Sequence, residues 1–400
     1  MLRLTGAVLT TISAVLFLTV FFADLFGLHT NPYTGVVFFL ILPAIFVLGL
    51  VIFAAGHWPA AWPRVDLGNP THRTAFLIVL VLTIVNVVIV SMAAYRGIEY
   101  VDSVAFCGQV CHTVMAPEFV PHQTGSHANV KCIDCHAGPG AMSFVSAKAS
   151  GTRRVLAMLR GSYAKPIVPE PNQLPKAAET CERCHSSARF RGERINRVVE
   201  YADNEKNAPS ETKIKLDLRK VHTHMDKGIE FIATDKSRQT IPYVRLKSSD
   251  GSIREYTVAG QPTAGEVRRL DCMDCHNRPS HAIAPTPERA VNDAMAAGQI
   301  PVSLPFVHRE AVKALKAGNP AALRDFYRSQ SRADVDRAVA AVSEIHRRNV
   351  FPAMNVTFGA YANNIGHIDS PGCFRCHDDD HKSKDGKKIG QDCETCHTIE

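Results

Sequence analysis

The stretch CGQVCHTVMAPEFVPHQTGSHANVKCIDCH, residues 107–136, holds two cysteine pairs, each followed at once by histidine, and the rest of the chain repeats the theme. Its second pair, Cys132/Cys135/His136, has the spacing CxxCH. Four more follow: Cys181/Cys184/His185, Cys272/Cys275/His276, Cys373/Cys376/His377 and Cys393/Cys396/His397. The first pair, Cys107/Cys111/His112, has three residues between its cysteines, and the six motifs use all 12 cysteines of the chain. CxxCH is the pattern of c-type haem attachment, because two thioether bonds need two thiols a short turn apart and the adjacent imidazole then falls under the iron. A wider loop between the thiols does not prevent attachment, so six covalently attached haem c groups are expected. Zinc fits less well, since a structural site joins two cysteine pairs and needs no histidine directly after each. Disulfides across such short pairs would be strained and would leave the six histidines unexplained. The motifs therefore imply electron transfer.

Upstream of the motifs the composition changes. Residues 7–27, 34–55 and 74–95 are apolar runs of membrane-spanning length, about 20 residues for a hydrocarbon core of about 30 Å. The first could instead be a signal peptide, but its run is long for one and a second span follows immediately. Arg3 precedes the first span, Arg64 and Arg73 lie between the second and third, and the loop from Leu28 to Thr34 has no Lys or Arg. The positive-inside rule then places the N-terminus in the cytoplasm and everything after Tyr95 outside, the periplasmic face of a bacterial inner membrane, where c-type haem is attached. The formal charge of +7 is dispersed among acids and gives no nucleic-acid signature.

Downstream, about 300 residues carry six motifs, too few for an ordinary apolar core around each cofactor, so the porphyrins should supply much of the interior and lie close together. Residues 98–190 hold three motifs. Residues 191–262 hold none and alternate in INRVVEYA, ETKIKLDL, IEFIATD, TIPYVRLK and IREYTVA, with turn signals at DNEKN and SSDG, which predicts a small antiparallel β element. Residues 263–400 hold three motifs around a helical insert: PTPERAVNDAMAAG, FVHREAVKALKAG and RADVDRAVAAVSEIHRR have apolar residues at helical spacing, with Gly298 and Gly318 as stops. The expected fold is mainly α with little regular structure: a transmembrane anchor over 1–97, then an extracytoplasmic multihaem cytochrome c domain with a β insertion.

Each motif histidine supplies one axial ligand, and the second must come from elsewhere, usually histidine and sometimes methionine. His281 follows its motif by five residues and His381 by four, too near for their own porphyrins, so each is expected to ligate a neighbouring haem. His222 and His224 sit at strand spacing on one face, and His367 occupies a glycine-flanked loop before the fifth motif. His122, His308 and His346 fit more easily as exposed polar residues. Met115, three residues after His112, could compete with it for the first iron, and methionine ligation raises a haem's potential.

The stretch from His112 through the second motif to GPG, its continuation SFVSAKASGTRRVLAML, and YAKPIVPEPNQLPKAAETCERCH resemble the NapC/NirT family of membrane-anchored multihaem quinol dehydrogenases. Further on, VHTHMD, RQTIPYVRL, CMDCHNRPSH and NNIGHIDSPGCFRCHDDDH resemble its longer members with three membrane helices, the ImcH-type inner-membrane cytochromes. The resemblance implies a three-haem module over 98–190, quinol binding near the first haem at the membrane surface, and electron delivery to periplasmic partners. It adds His127, in the Ser-His of the pattern, to the candidate ligands. It implies a methionine ligand at Met115, but the chain departs from the family's CxxCHxM by an extra residue between the cysteines and another before Met115, so the first ligand stays open between His112 and Met115. A family lysine corresponds to Lys148, implying a role in the quinol pocket, whereas Val155 stands where an acidic partner would be expected.

Phe144 to Lys165 mixes Phe144, Val145, Val155, Leu156, Met158 and Leu159 with Lys148, Arg153, Arg154 and Arg160, the make-up of a basic interfacial helix. Quinol oxidation releases protons outside, so an acid or base is needed there, and Glu99 and Asp102 are placed to serve. Asp24, near the end of the first span, is either functional or snorkels to the interface, and Asn86 is expected to bond between helices. The expectation is a quinol dehydrogenase that passes electrons singly from the membrane quinone pool to a periplasmic c-type cytochrome or reductase. A non-catalytic conduit subunit is the alternative. A terminal reductase would need an open iron position, against which the spare histidines argue.

Overall fold

The structure is a computed structural model that describes residues 1–25, 35–56, 66, 68–167, 174–186, 192–248 and 250–399. Arg64 and the loop from Leu28 to Thr34 lie outside the described residues, as does the side chain of Asp24. The chain divides into two compact units, Met1–Met115 and Ala116–Glu400.

The first unit is built on three helices: α1 (Leu2–Leu25), α2 (Leu42–Gly56, entered through a π-helical turn over Val37–Ile41) and α3 (Pro70–Val101). All three are long and apolar enough to cross a membrane, α3 over 32 residues. Lipid offers no hydrophobic drive between helices, so close backbone approach at small residues must hold them together. That is how α1 meets α2. A Cβ at Gly6 would stand 2.4 Å from the Phe53 backbone nitrogen, and one at Gly49 would stand 2.6 Å from Thr10 Oγ1. Arg3 Nε closes the end of the pair by donating to the Gly56 carbonyl at 2.7 Å. Asn69 caps α3, its side chain accepting from the Thr71 backbone amide. Asn86, expected to bond between helices, instead returns its amide to the Leu82 carbonyl of its own helix at 2.9 Å. A side chain four residues from a carbonyl on the same helix face needs no second helix to be satisfied.

The second unit begins within α4 (His112–Thr124) and continues through α5 (Cys132–His136), α6 (Ala141–Leu159) and α7 (Ala177–Thr180). The five alternating stretches are all strands: β1 (Glu193–Tyr201), β2 (Pro209–Asp217), β3 (Ile229–Ile232), β4 (Tyr243–Lys247) and β5 (Ile253–Thr257). They form two sheets. β1 and β2 are joined by β7 (His397–Ile399) in the order β1-β2-β7, and β6 (Arg268–Arg269) completes the order β5-β4-β3-β6. Between the sheets runs α8 (Leu218–Asp226), where Asp217 caps the first turn through the Arg219 amide, and the short α9 (Cys272–Cys275) follows β6.

The helical insert consists of α10 (Pro287–Ala296), α11 (Val307–Lys316), α12 (Ala322–Phe326) and α13 (Arg332–Asn349), and Gly298 and Gly318 adopt positive φ just past α10 and α11. These helices close an apolar core of their own, with Val291, Ile300, Val307, Ala311, Ala338 and Val342 fully enclosed. The expectation that porphyrins supply much of the interior does not extend to this segment. With no motif to house, its 3.6-residue apolar period suffices to build a conventional core.

Candidate metal centres

Each motif sits on a tight turn. His185, His276 and His377 send their backbone amides back to the first cysteine of their own motif at 2.8, 2.8 and 3.0 Å, which closes the CxxCH loop. The first motif, longer by one residue, lies on a π-helical turn over Phe106–Val110. A π-turn takes in one residue more than an α-turn, so it accommodates the insertion and still presents Cys107 and Cys111 one after the other.

Five motif histidines face a second imidazole. His136 stands 6.2 Å, centre to centre, from His281; His185 5.9 Å from His127; His276 6.4 Å from His222; His377 5.8 Å from His224; and His397 5.9 Å from His367. A metal–imidazole bond is about 2 Å and the ring centre lies about 1 Å beyond the nitrogen, so two imidazoles on one metal stand about 6 Å apart. Direct stacking is tighter, as where the Phe374 ring lies 4.1 Å from His367. The five gaps thus have the size of one metal ion.

The outer nitrogens strengthen this. His222, His224, His281 and His377 each donate Nδ1–H to a backbone carbonyl, of Leu218, Val221, Glu118 and Gly390, at 2.8 to 2.9 Å. His127 Nδ1 points at the Pro279 carbonyl at 3.3 Å. That bond fixes the tautomer and puts the lone pair on Nε2, the usual second-shell arrangement of a ligating histidine. Burial also holds His136, His224, His276 and His281 below the usual imidazole range, favouring the neutral ring a metal requires.

Other histidines face no motif histidine among the described residues. His381, expected as a ligand, is 1% exposed, with Nδ1 on the Asp378 carboxylate and Nε2 on the Ile241 carbonyl at 2.7 Å. Both of its nitrogens are committed, and it ties the CHDDDH segment to the sheet edge instead. His122 and His308, expected to be exposed, are buried: His122 Nε2 donates to the Val130 carbonyl at 3.0 Å and His308 Nδ1 meets Asp203 at 2.6 Å. His346 is half-buried. His222 and His224 lie on helix α8, not on a strand, so they point about 200° apart and face different motif histidines. His112 faces no second ring among the described residues, and Met115 follows it one turn later on α4.

The motifs adjoin in chain order. Cys135 feels the charge of Cys181 and Cys184, Cys272 that of Cys181, Cys275 that of Cys373, and Cys396 that of Cys373. Burial pushes the Cys272 and Cys275 thiols up to about 11 and Cys376 to about 12. No group of three or more His, Cys, Asp or Glu side chains converges on a metal-sized point among the described residues. Two devices lock the fourth and fifth motifs together. Asp274, inside CMDC, is 2% exposed and bonds Arg238 at 2.5 Å and Arg268 at 3.2 Å, while Arg375, inside CFRC, donates to the Asp274 and Arg238 carbonyls. Gly372 has φ +48°, and a Cβ there would lie 1.6 Å from the Gly366 carbonyl oxygen, so only glycine lets the loop carrying His367 close over the fifth motif.

On the first unit, Glu99 pairs with Arg96 at 2.9 Å, and the Arg96 guanidinium lies 5.2 Å from the centre of the Phe21 ring. Phe21, Met92, Tyr95, Arg96 and Glu99 line a cleft of about 270 Å³. Arg96 was missed in the sequence, although an ionisable residue ending an uncharged membrane run is itself a signal. Asp102 forms the C-cap of α3. Lys148, on α6, lies 5.0 Å from the Phe144 ring centre.

Three membrane-length helices, and beyond them paired imidazoles set beside cysteine pairs, define the class: a membrane-anchored multihaem cytochrome of the c type. No protein-family model and no solved structure matches the chain. It is 36% identical over 443 aligned residues, all of this chain and 87% of the relative, to the cytochrome c-type protein ImcH of Geobacter sulfurreducens. A stretch of 91 residues, 22% of the chain and 56% of the relative, is 32% identical to the cytochrome c nitrite reductase subunit NrfH of Nitratidesulfovibrio vulgaris. The chain belongs to the ImcH family of membrane-bound c-type cytochromes, whose haem is covalently held.

Proposed function

We propose that this chain is an inner-membrane hexahaem cytochrome that oxidises membrane quinol and passes the electrons to a periplasmic c-type cytochrome or reductase in anaerobic or extracellular respiration. The observation that carries the electron-transfer part is the set of five imidazole pairs with metal-sized gaps. In this reading His136/His281, His185/His127, His276/His222, His377/His224 and His397/His367 are the axial pairs of haems two to six, the cysteines hold the porphyrins, and His381 is no ligand. Haem, when bound, stores one electron at each centre. The adjoining motifs arrange those centres as a file from the Cys132 to the Cys393 site, with exit at the last two.

The first motif differs in length and has no facing histidine among the described residues, so its ligation rests on His112 or Met115. It follows directly on the third membrane helix, where Glu99 and Asp102 stand to take the protons of quinol. Lys148 belongs to the quinol side through the family resemblance, and α6 fits a membrane surface. Met142, Val145, Leu156 and Leu159 fall on one face of it and are 81%, 59%, 44% and 72% exposed. Arg3 before the first span and Arg73 before the third put the N-terminus in the cytoplasm.

The test is to reconstitute the full chain in liposomes and add a quinol analogue under anaerobic conditions. The proposal expects the haem bands to reduce and mass spectrometry to find six haems per chain. Haems that dithionite reduces but quinol does not would make the chain a conduit.

A further inference from the structure

We infer that the cleft lined by Phe21, Met92, Tyr95, Arg96 and Glu99 is the quinol headgroup site, with Glu99 as the proton acceptor and Arg96 as the group that orients a ring oxygen. This rests on the quinol reading above and locates it in the membrane bundle. Met92, Arg96 and Glu99 stand at positions i, i+4 and i+7 of α3 and so share one face, with Tyr95 beside them. Phe21, from α1, forms the opposite wall. From Ala75 to Tyr95 the helix carries no charge, and the next charged residues, Arg96 and Glu99, both line the cleft. Charges at the end of a membrane helix are costly unless used or hydrated.

The ligand this lining fits is flat and apolar, with polar atoms on its rim. Phe21, Met92 and Tyr95 offer apolar contact. The guanidinium, held between the Phe21 ring and the Glu99 carboxylate, offers further N–H donors. Glu99 bonds Arg96 through Oε2 and is 49% exposed, which leaves acceptor capacity for an O–H donor. A volume of about 270 Å³ is just below the range for drug-sized ligands, which suits one ring system with its apolar tail left in lipid. The cleft also adjoins the first motif along the chain. Tyr100, next to Glu99, meets Phe106 edge to face at 5.3 Å, and Phe106 precedes Cys107.

The reaction balances as follows. Both quinol O–H bonds break, Glu99 accepts the two protons in turn and releases each to outside water, and quinone remains. The two electrons leave one at a time for ferric haem attached at Cys107 and Cys111. Protonation of Glu99 also loosens its hold on Arg96, which frees the guanidinium for the ring oxygen that has lost its proton.

The test uses the full-length haem-loaded protein in liposomes, with Glu99→Gln and Met92→Trp variants and a photoactivatable quinone analogue. Dithionite-reduced spectra and haem content should match wild type in both variants. Glu99→Gln should slow quinol-driven reduction about 10²-fold, the lower end of what a general base contributes. Met92→Trp, which fills the cleft, should weaken quinone binding at least about tenfold and abolish photolabelling of peptides from α1 and α3. Wild-type protein reduced by quinol, with both variants equally fast or with the label on α6, overturns the cleft assignment and leaves the quinol reading standing. Wild-type protein that quinol does not reduce sinks both.

Discussion

The arrangement of imidazoles makes a sharp prediction about two histidines that look alike in sequence. His281→Ala removes a ring 6.2 Å from His136 whose Nδ1 is held by the Glu118 carbonyl, so on the proposed pairing one of the two axial nitrogens at the second centre disappears. Among the described residues His122 also lies 6.2 Å from His281, with its Nε2 spent on the Val130 carbonyl. One haem in six should therefore become high-spin, visible by electron paramagnetic resonance, and added imidazole should restore the low-spin signal. The cost in stability should be about 1–2 kcal/mol, one hydrogen bond and a partly buried ring. His381→Ala should behave in the opposite way. Its ring is 1% exposed and bonded at both nitrogens, and its loss strands the buried Ile241 carbonyl, so about 2–4 kcal/mol should be lost with all six haems still low-spin. Urea titration followed by far-ultraviolet circular dichroism reads the stability. A high-spin haem in His381→Ala, or none in His281→Ala, would refute the tautomer argument.

The other predictions concern what holds the fold. Arg238→Met leaves the buried Asp274 carboxylate with Arg268 as its remaining cation, and the full chain in detergent should lose about 3 kcal/mol in a denaturant titration. Gly49→Leu should lower the melting temperature, because its first carbon already collides with Thr10 on α1, whereas Gly151→Ala, with nothing within 4 Å of the new methyl, should stabilise α6 by about 0.8 kcal/mol. The Lys316 ammonium bonding Glu288 holds that carboxyl below its ordinary value. A depressed carboxyl stabilises the fold above the ordinary value of about 4.3 and loses that effect as pH falls through the lower folded value. Thermal melts should thus separate Glu288→Gln from wild type at pH 6 and bring them together near pH 3, and a gap that persists in acid would refute the pairing.

Much of this was legible in the chain, for reasons that differ from site to site. The membrane helices, the five strands and the three long helices of the insert follow from apolar period alone. His127, His222, His224, His281 and His367 are named from the sequence as candidates, but which motif histidine each ring faces is a matter of three-dimensional position and no spacing encodes it. Where the reading failed, a local signal was outweighed. VHTHMD continues the alternation of KIKLDL, so it looked extended, yet Asp217 caps a helix there, and Leu218, Val221, His222 and Met225 fall at i, i+3, i+4 and i+7. His381 looked like a ligand because it follows a motif closely, and the carbonyl that claims its Nε2 lies 140 residues away. His122 and His308 looked polar and exposed, but each finds a hydrogen bond that makes burial tolerable.

The interleaving of imidazoles also bears on how the molecule is made. On the proposed pairing, His136 waits for a residue 145 positions further along the chain, and His185 takes one that has already emerged. At a synthesis rate of about 5–20 residues per second, the second centre stays half-built for roughly 7–30 s after its cysteines appear. During that interval its thiols are open to the attachment machinery and its iron would lack a distal ligand. On that pairing the late arrival of His281 serves as a closing step, completing the site at the second motif only after the fourth has been made.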